Sequence, residues 1–353
     1  FVILNAVSVL FSVDIALSLR AFFTKTLKFV LIFFIVAETI NTEKRVKRFL
    51  WVLISSAVLM VVDAGVQYFN GVDFLKGYGG CRLSASFSAP NGFGGWLVLV
   101  LPALWGASVE KRWKVLGREM KIGLNILLVL LLACLMLTYT RGAWIGLLVS
   151  SVLVAYFFFK EKSLTCKRVS ALVFVGICGL FLFIWPSLKD QKVSFFGFPN
   201  SIGAETVVER LTLSRGFSVR KNLWTESLEI IQDFPLFGCG LNTYSLTAPY
   251  YKVAEGGGIY SHNSYLQMAA EIGLLGLGAF LWIVFCFFTM GFYYFNKEKD
   301  YLALGLLSGL LAFLVHAFFD NHLYALQLVV LFWLVLGFGT AVMKIRASES
   351  KPG

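Results

Sequence analysis

Apolar runs long enough to cross a lipid bilayer recur along this chain and restrict its fold more than any other feature. They lie at about 27–40, 50–69, 91–109, 122–138, 143–159, 169–185, 266–295, 301–318 and 323–343, and residues 1–11 read as the end of another. A hydrocarbon core about 30 Å thick takes about 20 helical residues, and within it each backbone N–H and C=O must find its partner inside the protein. Charged residues make up 14% of the chain and hydrophobic ones 58%, against about 25% charged in a soluble protein. The expected fold class is therefore an all-α polytopic membrane protein. Residue 1 is a Phe inside an apolar run, so at least one further helix is expected upstream. The first run lacks the basic leader and small-residue cleavage site of a signal peptide. Ser12 to Lys28 is mixed and reads as a turn or interfacial piece.

The net charge of +11 would suggest a nucleic-acid partner on a soluble chain. Here the basic residues gather in short loops: Lys44, Arg45, Lys47 and Arg48; Lys111, Arg112, Lys114, Arg118 and Lys121; Lys160, Lys162, Lys167 and Arg168; and Lys344 with Arg346. Counting helices places every cluster on one side, the cytoplasmic side by the positive-inside rule. Membrane lipids, not nucleic acid, are the partners this pattern implies. Four pieces fall on the other face: 70–90, 138–142, 186–265 and 319–322. The chain divides into membrane helices over 1–185, an outer loop domain over 186–265, further membrane helices over 266–343 and a cytoplasmic tail over 344–353. No cytoplasmic loop is long enough for a nucleotide-binding domain and no GxxxxGK[ST] phosphate loop is present, which disfavours ATP-driven transport.

Within the outer segment, Lys189 to Ser214 is polar and irregular in pattern. Ser218 is placed to cap a helix over 219–233, with Leu223, Leu228, Ile231 and Phe234 as its apolar stripe, widened by Trp224. Pro235, Gly238 and Gly240 end it, and Tyr244 to Gly258 reads as a loop.

The residues able to carry chemistry collect on the outer face. His262 opens an apolar helix after a glycine-rich loop; it is either a cap or interfacial residue, or a general base or substrate donor. Arg141 sits in a turn where the positive-inside rule gives no reason for an arginine. It either snorkels or offers its planar fork to an anion. Arg220 is expected in the first turn of the amphipathic helix, near Arg210, Arg215 and Lys221. This is either a solvated basic face or a diphosphate receptor at a helix start. Arg82 is a fourth outer arginine. Glu271 falls inside the membrane two turns after His262, and an ion pair with Arg141 or Arg82 is expected. His316, Asp320 and His322 share an outer turn, but no further ligand is evident and no metal is expected. The six cysteines show no CxxC pair; Cys81 and Cys239 both fall outside, where a bond between them is chemically allowed.

Several short blocks together resemble the O-antigen ligase and O-antigen polymerase superfamily of bacterial membrane glycosyltransferases. They are Ser86-Phe87-Ser88-Ala89-Pro90-Asn91-Gly92-Phe93, Thr140-Arg141-Gly142-Ala143, Arg220 through Trp224 to Pro235-Leu236-Phe237-Gly238-Cys239-Gly240, and His262-Asn263-Ser264-Tyr265-Leu266 with Glu271-Ile272-Gly273. The Asp320 turn and last helix also fit, so the resemblance spans roughly residues 80–345. It implies a GT-C-like helical bundle with a large periplasmic loop. It also implies a glycan donor carried on undecaprenyl diphosphate, a lipid or glycan acceptor, and no cofactor or metal. By position, Arg141 and Arg220 would bind the diphosphate, with Arg215 competing for the second role and Arg82 matching less closely. His262 would activate the acceptor hydroxyl, supported by Asn263, Glu271 and Asp320. A ligase joining glycan to a lipid A core sugar is the expected subtype. A polymerase or a protein O-oligosaccharyltransferase of the same superfamily is the alternative. A polysaccharide transporter or flippase is the non-enzyme alternative, and charge collected on one face speaks against it.

Overall fold

A computed structural model describes residues 1–80, 82–110, 118–160, 213–251 and 260–349. The helices in chain order are α1 (Val2–Leu10), α2 (Ile15–Ala21), α3 (Lys28–Thr39), α4 (Glu43–Asn70), α5 (Pro90–Val109), α6 (Arg118–Leu137), α7 (Arg141–Lys160), α8 (Leu213–Asp233), α9 (Tyr244–Thr247), α10 (Ser264–Glu298), α11 (Tyr301–Ala317) and α12 (Leu326–Glu349). Among the described residues no strand forms beyond an isolated bridge between Val72 and Gly79. Helices α4, α5, α6, α10 and α12 each contain a stretch long and apolar enough to span a bilayer, and α7 and α11 are shorter apolar helices. The protein is an all-α, multi-pass membrane protein. The apolar run at 169–185 and the segment 186–212 lie outside the described residues.

From Ile15 onward the segment over Ser12 to Lys28, expected as a turn or interfacial piece, is helical. Asp14 caps α2 by accepting the N–H of Leu17 at 2.9 Å, and a π-helical stretch, Phe22–Leu27, carries the chain into α3. The cap supplies an acceptor for one of the first-turn N–H groups, which helix geometry otherwise leaves unpaired. A second correction concerns α8. It already runs from Leu213, so Ser218 lies inside the helix and does not cap it. The apolar spacing continues upstream through Leu213 and Phe217, and this extends the helix past the local cap signal. Part of the expected loop after Tyr244 is also helical, as α9 and the 3-10 turn Ala248–Tyr251.

The chain divides into two compact units. One is built from Phe1–Thr39, Thr212–Met290 and Ala317–Thr340. The other comprises Ile40–Leu211, Gly291–His316 and Ala341–Gly353. In the second, α5 is the central helix, buried without interruption from Phe93 to Leu104. Small residues let α11 approach it closely. A Cβ on Gly106 would stand 2.5 Å from the carbonyl oxygen of Tyr301, and one on Gly305 would stand 2.4 Å from that of Pro102. In a membrane, where apolar burial between helices gains little, such backbone contact supplies much of the packing energy. Gln67 near the end of α4 accepts the N–H groups of Ser84 and Ala85 at 2.9 and 2.8 Å, which pins the loop leading to α5.

In the first unit, α10 is broken. Gly273 has φ 71 and ψ 175, outside the helical region. The carbonyls freed at the break are taken by a neighbouring strap: Cys239 N–H bonds Ala270 O at 2.8 Å and Gly240 N–H bonds Glu271 O at 3.0 Å. Ser8 Oγ also donates to Glu271 O, at 3.1 Å. Interrupted helices survive in membranes where the freed backbone groups are met by protein in this way. Two of the blocks singled out in the sequence, 235–240 and 271–273, are thus the two halves of one interlock.

Candidate active site

Asn263 begins α10. Its Oδ1 accepts the N–H groups of Tyr265 and Leu266 at 3.0 and 3.1 Å, and its own N–H is held by Ser261 Oγ at 3.1 Å. This side chain is a helix N-cap. The tight entry leaves His262, one residue earlier, at φ 51 with its side chain 46% exposed. A left-handed backbone in a non-glycine residue costs about 1–2 kcal/mol; here it turns the imidazole outward from the capped helix.

The ring meets Asp320. His262 Nδ1 lies 3.0 Å from Asp320 Oδ1, and the same oxygen accepts the N–H of Asn321 at 2.8 Å. Ser264 Oγ donates to the carbonyl of Asp320 at 2.8 Å and accepts the N–H of Leu323 at 3.3 Å, so the start of α10 is tied to the turn that carries the carboxylate. Burial works against ionising Asp320. The hydrogen bond with His262, the positive charge available on His322 and His262, and the Asn321 N–H outweigh it and hold the carboxyl well below the usual carboxylate range. His322 is itself buried, and burial pushes it down to about 4 despite the pull of Asp320. At neutral pH His322 is therefore uncharged, and the hydrogen bonds from His262 and the Asn321 N–H hold Asp320 ionised. An ionised Asp320 acts as acceptor, which puts the proton on Nδ1 and leaves a lone pair on Nε2. A carboxylate orienting an imidazole in this sense is the arrangement of a general base.

Glu271 occupies the helix break. Its carboxylate accepts the N–H of Asn242 at 2.8 Å and the Nε2 of Gln267 at 3.1 Å. These amide donors replace the arginine partner expected from the sequence. Gln267 in turn accepts from Asn321 Nδ2, so Glu271 is connected by hydrogen bonds to the residue after Asp320. Gln267 had a weak signal, its i, i+4 spacing to Glu271; nothing local marked Asn242 or Asn321.

In the other unit, Arg82 Nε donates to Thr138 O at 2.8 Å, and its Nη2 donates to Thr140 Oγ1 at 3.1 Å and Asn91 Oδ1 at 3.2 Å. It braces the turn in which Tyr139 adopts φ 50 and from which α7 starts. Arg141 is the first residue of α7 and half-buried. A cation there opposes the helix dipole, while an anion would be favoured by the arginine and the helix N–H groups together. Arg220 is half-buried in α8, about two turns from Leu213, and Arg215 falls in the first described turn; the expected placement of Arg220 at the helix start is corrected accordingly. Cys239 is a buried free thiol against Thr243 Oγ1 at 3.3 Å, and Cys81 lies outside the described residues. Among the described residues no group of three or more His, Cys, Asp and Glu side chains gathers to hold a metal ion.

No curated protein matches the chain. Residues 126–281 match the family model described as O-antigen ligase. That segment, just under half of the chain, contains Arg141, Arg215, Arg220, His262, Asn263 and Glu271, while Arg82 and Asp320 lie outside it. The family is one of glycosyltransferase-like enzymes whose substrates are lipid-linked glycans. Over residues 126–281 the chain is thus similar to the O-antigen ligase family, and its membrane helices agree with that likeness.

Proposed function

We propose that the chain is an O-antigen ligase-type glycosyltransferase. It moves a glycan from undecaprenyl diphosphate to a hydroxyl of a lipid A core sugar, on the periplasmic face of the bacterial inner membrane. The observation that carries this reading is the His262–Asp320 pair. An acceptor hydroxyl is a poor nucleophile at neutral pH. His262 Nε2 takes its proton as the oxygen bonds to the anomeric carbon, and Asp320 stabilises the imidazolium that forms. The bond from the anomeric carbon to the diphosphate oxygen breaks in the same step, with inversion and no glycosyl-enzyme. Arg141 and Arg220, the positions that match the family's arginines, meet the charge that develops on the diphosphate, so the scheme requires no metal. A flippase would have no use for an oriented base beside a helix start, which favours the enzyme.

General-base help is worth about 10²–10⁴ in rate, so His262→Ala should lose about that much transfer from a purified lipid-linked donor while still binding the donor. A base must be unprotonated, so transfer should fall on acidification; an imidazolium that binds phosphate gives the opposite slope. Loss of donor binding with chemistry intact, or a rate that rises as pH falls, would reject the assignment.

A further inference from the structure

Gln267 is buried on α10, one turn before Glu271, and the two ends of its amide face different partners. Nε2 donates to Glu271 Oε1 at 3.1 Å. Oε1 accepts the N–H of Ser261 at 3.4 Å and also accepts from Asn321 Nδ2. Ser261 immediately precedes His262, and Asn321 immediately follows Asp320. One oxygen of one side chain therefore holds both segments that meet in the His262–Asp320 pair. The direction of the amide follows from its neighbours. Glu271 Oε2 accepts the Asn242 N–H at 2.8 Å, and a carboxylate can only accept. Glu271 thus meets the NH2 end of Gln267 and turns the carbonyl end toward the two donors.

We propose that Gln267 is the positioning residue of this pair: its amide sets how Asp320 meets His262 Nδ1. This rests on the reading of His262 as the base. Gln267 acts through Ser261 and Asn321. The Asn321 N–H lies on Asp320 Oδ1 at 2.8 Å, the same oxygen that faces the imidazole at 3.0 Å. A shift of Asn321 therefore moves the contact that orients the ring. Ser264 Oγ holds only the main chain of Asp320, at its carbonyl, and does not fix the carboxylate. The contacts continue past Glu271 to Asn242, next to the strap that docks on the break at Gly273. The broken helix thus has a use at the site: it places Glu271 where it can fix the Gln267 amide.

The test is transfer kinetics of the full chain in nanodiscs, from a purified lipid-linked donor. Gln267→Glu keeps the length and the acceptor for Ser261 and Asn321, but sets like charge against Glu271. It should lower kcat about tenfold to 10²-fold, the cost of a misplaced catalytic group, with the donor KM unchanged. Combining Gln267→Glu with Glu271→Gln exchanges donor and acceptor and should restore most of the rate. Asp320→Asn already lacks the orienting carboxylate, so adding Gln267→Glu to it should cost no further rate. Asn321→Ala cuts only one contact to Gln267 and supplies the same comparison should Gln267→Glu fold poorly. Wild-type kcat in Gln267→Glu, an exchange variant no faster than the single one, or losses that multiply with Asp320→Asn overturn the proposal. Wild-type transfer by His262→Ala removes the base reading itself. An inactive His262→Ala beside a fully active Gln267→Glu removes only the role of Gln267, so the two readings fail separately.

Discussion

Leu274 donates its backbone N–H to the carbonyl of Pro235, 2.9 Å away. The bond exists because Gly273 breaks α10 and turns that N–H toward the strap at 235–240. A Cβ on Gly273 would stand 2.0 Å from Leu236 O, and one on Gly238 would stand 2.3 Å from the carbonyl carbon of Glu271. The φ and ψ of Gly273 are in a region that other residues occupy only at about 1–3 kcal/mol, before any overlap is counted. Gly273→Ala should therefore destabilise the protein by more than about 3 kcal/mol. Gly278→Ala, later in α10 with nothing near its Cβ position, should be neutral or slightly stabilising. Thermal unfolding in detergent compares the two, and equal midpoints would mean that the interlock does not hold the unit together.

The two arginines assigned to the diphosphate should respond to shape as well as charge. Removing one group aimed at developing charge costs about 10²–10³ in rate. Arg141→Ala and Arg220→Ala should each be close to inactive, and Arg→Lys at either position much weaker than wild type, because the ammonium cannot form the two-pronged contact. Arg82→Ala should instead lower thermal stability, since Arg82 braces the turn at Thr138 and Thr140. Full transfer by both Arg141→Ala and Arg220→Ala would move the diphosphate site, first to Arg215 or Arg82.

His322 gives a stability signature on the acid side. The unfolded chain takes up its proton near 6.5 and the folded chain only near 4. Between those values the unfolded state binds more protons, so this residue lowers stability progressively as pH falls from about 6.5 to about 4. Above 6.5 both states are neutral and it contributes nothing. Asp320 has the same sign, since its depressed value adds stability that is lost on acidification, but that loss falls below the ordinary carboxylate range, outside this window. His322→Asn cannot charge, so the fall in melting temperature between pH 7.5 and pH 5 should be smaller than in the wild type. An unchanged fall would show that His322 does not titrate as a buried neutral residue.

Helix positions were largely legible in the sequence because apolar length alone sets them in a bilayer. The run at 91–109 became Pro90–Val109 and that at 301–318 became Tyr301–Ala317. The break in α10 was not legible. Gly273, Gly276 and Gly278 share one apolar run, and only the strap at 235–240 determines which of them leaves the helix. The blocks containing Gly238 and Gly273 were visible separately, but their docking is a tertiary fact. His262 was legible from its place at the end of a polar segment. Its pairing with Asp320 was not, because the two are 58 residues apart and Asp320 stood in the sequence beside two other histidines.

The sidedness that the proposed function requires is open to direct measurement. By the positive-inside rule the basic clusters are expected on one face and the segment with His262 on the other; moving a lysine or arginine through the bilayer centre costs about 2.5–3.5 kcal/mol even on insertion scales. Tyr250 is 87% exposed in the segment expected outside, and Lys44 is exposed in the first turn of α4. In a background with the native cysteines replaced, Tyr250→Cys should react with a membrane-impermeant maleimide in intact spheroplasts. Lys44→Cys should react only after the membrane is permeabilised. The reverse pattern would place His262 and Asp320 on the cytoplasmic side. There a donor displayed on the periplasmic leaflet could not reach them, and the transfer reaction proposed above would fail on topology before any question of catalysis arose.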